Sequence, residues 1–137
     1  MRIIPTFVHG IADYVLGIVL LVLPNLFGFA DLGGPAVWIP RILGIIDLLQ
    51  SLATNYELGV AKILPMKVHL MNDYVVSLFF AASPWWFGFS HMPANVWMPV
   101  LIIGLLVFGV SLMTRTQRGS TLAELIAAGA GRPPWSE

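Results

Sequence analysis

The chain has 137 residues, of which 58% are hydrophobic and only 10% are charged. Soluble domains carry about 25% charged residues, so this composition excludes an ordinary water-soluble surface and predicts a membrane protein. Seven basic and seven acidic residues balance, which leaves no basic surface for nucleic acid, and the absence of cysteine excludes disulfides and thiolate metal ligands.

Four apolar stretches reach the length of about 20 residues that a helix needs to cross a bilayer. We predict membrane-spanning helices over residues 6–25, 36–54, 66–84 and 95–113. The stretches are continuously apolar rather than alternating, which argues against transmembrane strands. The second stretch carries Arg41 and Asp47, whereas the fourth contains no charged residue.

The first part of the chain recurs at a spacing of 60 residues. Residues 2–30 align without a gap to residues 62–90, with eleven identities among 29 positions. Proline, histidine, aspartate and glycine are among the identities, so shared hydrophobicity does not explain them. The match resumes between residues 37–40 (VWIP) and 96–99 (VWMP), one residue out of step. Each repeat is therefore predicted to be a helical hairpin.

This repeat predicts an all-α membrane protein with four transmembrane helices, arranged as two parallel helical-hairpin repeats with pseudo-two-fold symmetry. Two spans per repeat return the chain to the same side of the membrane, so the copies run parallel. The expected units are the hairpins of residues 1–60 and 61–113, followed by a cytoplasmic tail with a short amphipathic helix at 114–137.

The distribution of basic residues predicts the orientation. Six of the seven, at positions 2, 62, 67, 115, 118 and 132, fall on the side that holds both ends of the chain. Arg41 alone lies towards the other side. We therefore expect cytoplasmic N- and C-termini. The first 30 residues could pass for a signal peptide, but the same pattern recurs inside the chain, so we interpret them as a retained helix.

A short motif closes the third predicted helix. It reads Ser83-Pro84-Trp85, and the first helix has Leu23-Pro24-Asn25 at the matching position. A duplicated two-helix unit with S-P-W at the end of its first helix resembles the SPW-repeat family of small bacterial integral membrane proteins. The resemblance covers roughly residues 3–113. It implies the fold above and a location in the bacterial inner membrane, and it indicates no particular activity.

The motif also has a direct physical interpretation. Proline is expected to end the helix because it lacks an N–H group and restricts the residue before it. Indole rings suit the membrane–water interface, so we expect interfacial anchors at Trp38, Trp85, Trp86 and Trp97. The alternative is an aromatic pocket in which these rings stack on a ligand.

The frame V-H-x-x-x-D-Y occurs once in each repeat. Residues four apart share a helix face, so each histidine lies over an aspartate. These candidate site residues are His9, Asp13, His69 and Asp73. Four interpretations stay open: structural hydrogen-bonded pairs, a divalent metal site with two imidazole and two carboxylate ligands, a haem ligated by both histidines, and proton coupling through the aspartates.

A second group of polar residues lies deeper, on the second helix. Asp47, Gln50 and Ser51 form a polar stripe, whereas the counterpart of Asp47 in the second repeat, near Leu106 or Val107, is apolar. The stripe is interpreted either as a buried hydrogen-bond network or as a protonatable site that lines a path.

The sequence contains no motif of a soluble enzyme, neither a phosphate-binding glycine loop nor G-x-S-x-G. We expect a non-enzymatic membrane protein with a binding or assembly role, as a homo-oligomer or an accessory subunit of a larger membrane complex. The alternatives are a homo-oligomeric transporter coupled to protons or a divalent metal, and an electron-transfer protein with a bis-histidine haem. The cofactor stays undetermined between these, and the expected partner in every case is the lipid bilayer.

Overall fold

The computed structural model describes residues 2–117. These residues form four helices: α1 (Thr6–Leu26), α2 (Gly34–Ala53), α3 (Met66–Trp86) and α4 (Ala94–Met113), with a short 3-10 helix (Ala30–Leu32) between α1 and α2. The four predicted helices are confirmed, and every helix end lies within two residues of its predicted position. The amphipathic helix predicted in the tail falls in residues 118–137, outside the described residues.

The helices have the character of membrane spans. Three of them, α1, α2 and α4, are long and apolar enough to cross a membrane by length and composition. Helix α3 is as long as α1 but carries Lys67 and Asp73. Asp73 is buried within the bundle, while Met71, Val75 and Leu78 are exposed, so α3 also presents an apolar outer face. The chain is an all-α membrane protein.

The two hairpins are related by a shift of 60 positions. Helices α1 and α3 begin and end 60 residues apart, and so do α2 and α4. Two isolated backbone bridges repeat the relation, since Thr54 pairs with Leu64 and Thr114 pairs with Ile4. The second bridge brings the end of α4 back to the start of α1. The starts of α1 and α3 therefore lie at the same end of the bundle, as parallel repeats require.

Small residues allow the two helices of each hairpin to cross closely. A Cβ atom added to Gly44 would lie 2.7 Å from the Gly17 carbonyl oxygen, and one added to Gly104 would lie 2.8 Å from the Ser77 carbonyl oxygen. Such small-residue crossings are common between membrane helices, where close backbone approach replaces the hydrophobic drive. Contact between the two hairpins is sparser than contact within each.

The structure corrects the expectation that proline ends the first helix of each repeat. Helix α3 continues past Pro84 to Trp86, and its end is set by Gly88, whose φ is +73°. The Phe89 N–H then donates to the Pro84 carbonyl at 2.8 Å. A glycine with positive φ just after the last turn is a common helix stop. The first repeat has the same arrangement 60 residues earlier, at Pro24, Gly28 and Phe29.

Candidate functional site

The predicted histidines and aspartates of the two repeats form one buried cluster. One ligand-type atom from each of His9, Asp13, His69 and Asp73 lies within 4.8 Å of the others. All four side chains are less than 10% exposed. The first turns of α1 and α3 supply them, so the cluster lies near the end of the bundle that holds the bridges. Two-fold symmetry therefore joins the two V-H-x-x-x-D-Y frames into one site.

Each histidine contacts the aspartates of both repeats. The His9 Nε2 atom lies 3.3 Å from Asp13 Oδ1 and 3.1 Å from Asp73 Oδ2. The His69 Nε2 atom lies 3.2 Å from Asp13 Oδ2 and 3.3 Å from Asp73 Oδ2. The expectation of separate pairs within each repeat is too simple, because half of these contacts cross between the repeats.

The other ring nitrogen of each histidine contacts a threonine from the end of the second or fourth helix. His69 Nδ1 lies 2.7 Å from Thr54 Oγ1, and His9 Nδ1 lies 2.9 Å from Thr114 Oγ1. Each threonine hydroxyl also lies within 2.8 Å of a backbone carbonyl one turn earlier. A hydroxyl has one proton, and the carbonyl can only accept it. Each threonine must therefore accept a hydrogen bond from Nδ1–H, which directs Nε2 at the carboxylates.

The two carboxylates of the cluster have different surroundings. Asp73 accepts hydrogen bonds from Gln50 Nε2 (2.9 Å) and from the Ser111 hydroxyl (3.2 Å). Gln50 is itself bonded by the side-chain amide of Asn72. Asp13 Oδ2 lacks any hydrogen-bond partner among the described residues. Asp73 is thus held by a network, and Asp13 is held mainly by the histidines.

Two atoms of the cluster face each other without a hydrogen bond. His69 Nε2 and Asp13 Oδ2 are 3.2 Å apart, yet within residues 2–117 both are buried and lack a partner with hydrogen-bond geometry. Buried polar atoms are rarely left in this state. Atoms that point at a common centre rather than at each other are the arrangement expected of metal ligands.

The distances around the cluster match the size of a tetrahedral metal site. For bonds of about 2.0–2.1 Å, neighbouring ligand atoms of a tetrahedral zinc ion lie about 3.3 Å apart. The four nitrogen–oxygen distances in the cluster are 3.1–3.3 Å. In addition, metal-bound histidines typically donate their second N–H to an oxygen, as both histidines do here.

Haem does not fit this arrangement. A bis-histidine haem needs its two imidazoles on opposite faces of a flat macrocycle. Here the ring centroids of His9 and His69 are 5.5 Å apart, and both Nε2 atoms contact the same oxygen of Asp73. The carboxylates occupy the space in which the macrocycle would lie.

The connection between α2 and α3 covers the cluster. Tyr56 is fully buried, and a Cβ atom added to Gly10 would lie 2.0 Å from its ring. Burial raises the pKa of the Tyr56 phenol, which keeps that group neutral. The carboxylate of Glu57 accepts a hydrogen bond from the Thr6 hydroxyl at 2.7 Å. This connection keeps water away from the site on the side of the helix ends.

The polar stripe predicted on α2 divides in the structure. Gln50 belongs to the cluster through Asp73. Asp47 lines a small cavity of about 40 Å³ in the bundle, together with Asp73. Within the described chain, Asp47 Oδ2 and the Ser51 hydroxyl lack hydrogen-bond partners. The stripe is therefore not one self-contained network.

The tryptophans lie at the opposite end of the bundle. Trp38 and Trp86 are more than 60% exposed, and Trp85 packs edge-on against Trp97 with centroids 5.9 Å apart. This placement suits the interface, and the anchoring role stays a prediction.

The S-P-W motif has a structural reason in this fold. Pro84 lies inside α3 and has no N–H to donate to the carbonyl of Phe80, four residues earlier. The buried Ser83 hydroxyl donates to that carbonyl instead, at 2.7 Å. Serine thus satisfies the acceptor that proline leaves free, and the helix continues. Leu23 cannot do this in the first repeat.

Sequence reasoning missed the two threonines that hold the histidines. Their signal is a second repeat at a spacing of 60, since residues 51–54 read SLAT and residues 111–114 read SLMT. The match at residues 37–40 is one residue out of step, which hides this agreement when that alignment is extended.

The comparisons with known proteins agree with the fold. A family profile described as SPW repeat domain matches residues 6–114, which include all four helices and every residue of the cluster. Neither the curated proteins nor the solved structures contain a match to the chain. The resemblance inferred from the repeat and from Ser83-Pro84-Trp85 is confirmed, and the chain belongs to the SPW repeat family.

Proposed function

We propose that this membrane protein is non-enzymatic and binds a single divalent transition-metal ion, best matched by zinc, between its two repeats. The observation that carries the proposal is the convergence of two histidine Nε2 atoms and two carboxylates at 3.1–3.3 Å, with both Nδ1 protons directed at threonines. Two nitrogen and two oxygen ligands in a tetrahedron suit zinc. Magnesium and calcium prefer six or more oxygen ligands.

The charges of the cluster support the same ligand. Two carboxylates within a membrane protein are costly unless each has a partner. With both histidines neutral, a divalent cation balances the two negative charges and replaces the protons that would otherwise have to lie on Nε2.

The ion would join two units that otherwise contact each other sparsely. Each repeat supplies one histidine and one aspartate, so a bound ion cross-links the hairpins. Metal-binding free energy then becomes folding free energy. This is a binding and assembly role, and the four protein ligands leave no open coordination position for catalysis.

Metal analysis of the purified protein tests the proposal. The protein is extracted in mild detergent, and its metal content is measured by mass spectrometry before and after chelation and zinc addition. We expect a single zinc per chain that resists weak chelators, and no comparable retention of magnesium or calcium. The His91→Ala variant is the matched control, because His91 is exposed in the turn between α3 and α4. A cluster that is only structural would hold no stoichiometric metal.

We infer that the cluster end of the bundle faces the cytoplasm of a bacterium and that the protein lies in the inner membrane. Arg2, Lys62, Lys67 and Arg115 lie at that end, whereas Arg41 bonds Asn25 near the other. Since the chain has no cysteine, single cysteines report the orientation. An impermeant maleimide should label His91→Cys but not Ile63→Cys in intact spheroplasts, and the reverse pattern would refute the orientation.

A second candidate function is transport of a metal ion or proton by a homo-oligomer, and Asp47 is the observation in its favour. Its Oδ2 atom is buried without a hydrogen-bond partner in the described region, and it lines a cavity that reaches the ligand Asp73. An unpaired carboxylate in the membrane often marks an ion path.

Flux measurements test this candidate. If the protein transports zinc, proteoliposomes should show uptake that Asp47→Asn abolishes while zinc still binds at the cluster. Absence of flux in the wild-type protein, at full zinc occupancy, would reject transport and leave the binding role.

A further inference from the structure

The two interfaces between the hairpins differ, although symmetry relates them. Between α2 and α3, the amide of Asn72 bonds Gln50, and Gln50 bonds Asp73. The residues 60 positions away are Ala12 and Val110, on α1 and α4. These side chains cannot form hydrogen bonds. One interface is therefore closed by a polar network, and the equivalent interface is not.

The α1–α4 interface instead contains an open cleft of about 270 Å³. Its walls are almost wholly apolar and include Ala12, Leu16 and Val19 from α1 and Leu106 and Val110 from α4. His9 and Asp13 lie at one end of the cleft. The cleft runs along α1 from residue 9 to residue 19, which corresponds to about 15 Å at 1.5 Å per residue.

The position of the cleft limits what can fill it. It runs between two helices that are apolar enough to span a membrane, and it opens on their exposed side. A water-filled apolar groove would be unfavourable next to lipid, and an empty one would lose dispersion contacts. A hydrocarbon chain parallel to the helices satisfies both constraints.

The charge at the end of the cleft indicates the head group. The Thr114–Ile4 bridge closes the cluster end of the α1–α4 interface, and Arg2 and Arg115 flank it. Both arginines are exposed, and neither forms an ion pair with any residue from 2 to 117. Arginine binds phosphate oxygens well because its guanidinium offers several donors.

We propose that the α1–α4 cleft binds one acyl chain of an anionic phospholipid, whose phosphate lies against Arg2 and Arg115. The site is independent of the metal, because no lipid atom is needed to complete the cluster. It belongs to one interface only, since Gln50 and Asn72 close the other.

Native mass spectrometry of the full chain in mild detergent tests this site. The wild-type protein should retain a phospholipid with a preference for phosphatidylglycerol over phosphatidylcholine. Ala12→Phe fills the cleft and should lower retention by about tenfold or more, because the excluded methylene groups lose their apolar contacts. Ile18→Phe is the matched control, since Ile18 is exposed on α1 outside the cleft. Arg115→Gln should remove the preference for the anionic lipid, while Lys67→Gln, at the same end, should keep it.

Each outcome decides for or against the site. Zinc content, measured in the same samples, shows that a variant is folded. Equal lipid retention in Ala12→Phe and Ile18→Phe would overturn the proposal, and so would a wild-type protein that retains no lipid. A lipid-free dimer that Ala12→Phe converts to a monomer would also overturn it, because a second copy would then occupy the cleft.

Discussion

The His69→Ala variant is expected to bind zinc more than about 100-fold more weakly than the wild-type protein, because it loses one of four first ligands. The remaining imidazole would face two carboxylates, and Thr54 would lose the N–H that it accepts. Competition with a fluorescent zinc chelator measures the affinity. His91→Ala should bind zinc like the wild-type protein, since His91 is exposed and distant in the fold.

The same variant also separates a metal site from a structural charge cluster. Removing a buried histidine destabilises the protein in either case, because it leaves carboxylates without a partner. Only a metal site predicts that zinc raises the thermal unfolding temperature of the wild-type protein and fails to raise that of His69→Ala. If zinc stabilised both proteins equally, the ion would bind elsewhere.

The Thr54→Val variant should weaken zinc binding by about 10–100-fold, although Thr54 does not touch the ion. Valine keeps the shape of threonine but cannot accept the Nδ1–H of His69, which lies 2.7 Å from the hydroxyl. The ring then loses the contact that fixes its tautomer and orientation. Zinc competition measures the loss, and circular dichroism checks that the helices are retained.

Symmetry and a third threonine provide the controls for this prediction. Thr114→Val should match Thr54→Val, because Thr114 holds His9 in the same way. Thr6→Val should leave zinc affinity unchanged, since the Thr6 hydroxyl is equally buried but bonds Glu57. A larger effect at Thr6 than at Thr54 would contradict the positioning role.

Much of the fold could be predicted from the sequence because the repeat carries strong constraints. The ungapped alignment over 60 positions predicts parallel hairpins. Parallel hairpins in turn predict that His9 and His69 lie at the same level. The ring centroids are 5.5 Å apart, so this part of the site follows from the repeat and the helix period alone.

The remainder of the site depends on contacts that no local pattern contains. Thr54 reaches His69 across the connection between α2 and α3, and Thr114 reaches His9 from the far end of the chain. Helix period relates residues within one helix only, so it cannot pair residues that a turn or a bridge brings together. The S-L-x-T repeat is the available signal, and it needs the fold to explain it.

Proline was misleading for a similar reason. Pro84 removes one backbone donor, which predicts a helix end when the residue is considered alone. In the structure Ser83 supplies the missing donor and Gly88 supplies the stop. The motif acts as a unit, and its effect cannot be added up from its separate residues.

Divergence between the repeats concerns the interfaces more than the cluster. His9 and Asp13 have exact counterparts, whereas the Gln50–Asn72 pair does not. A duplicated protein that kept its ligands and changed only one interface is expected to use the altered interface for a different contact. The lipid cleft is that contact in our proposal.

X-ray absorption at the zinc edge of the purified wild-type protein tests the central claim most directly. The account predicts a stoichiometric ion with four nitrogen or oxygen ligands at about 2.0–2.1 Å, and with the outer-shell scattering of two imidazoles. That outer-shell signal should be halved in a variant that lacks one histidine. A protein without stoichiometric zinc, or an ion surrounded by six oxygen atoms without imidazole, would contradict it.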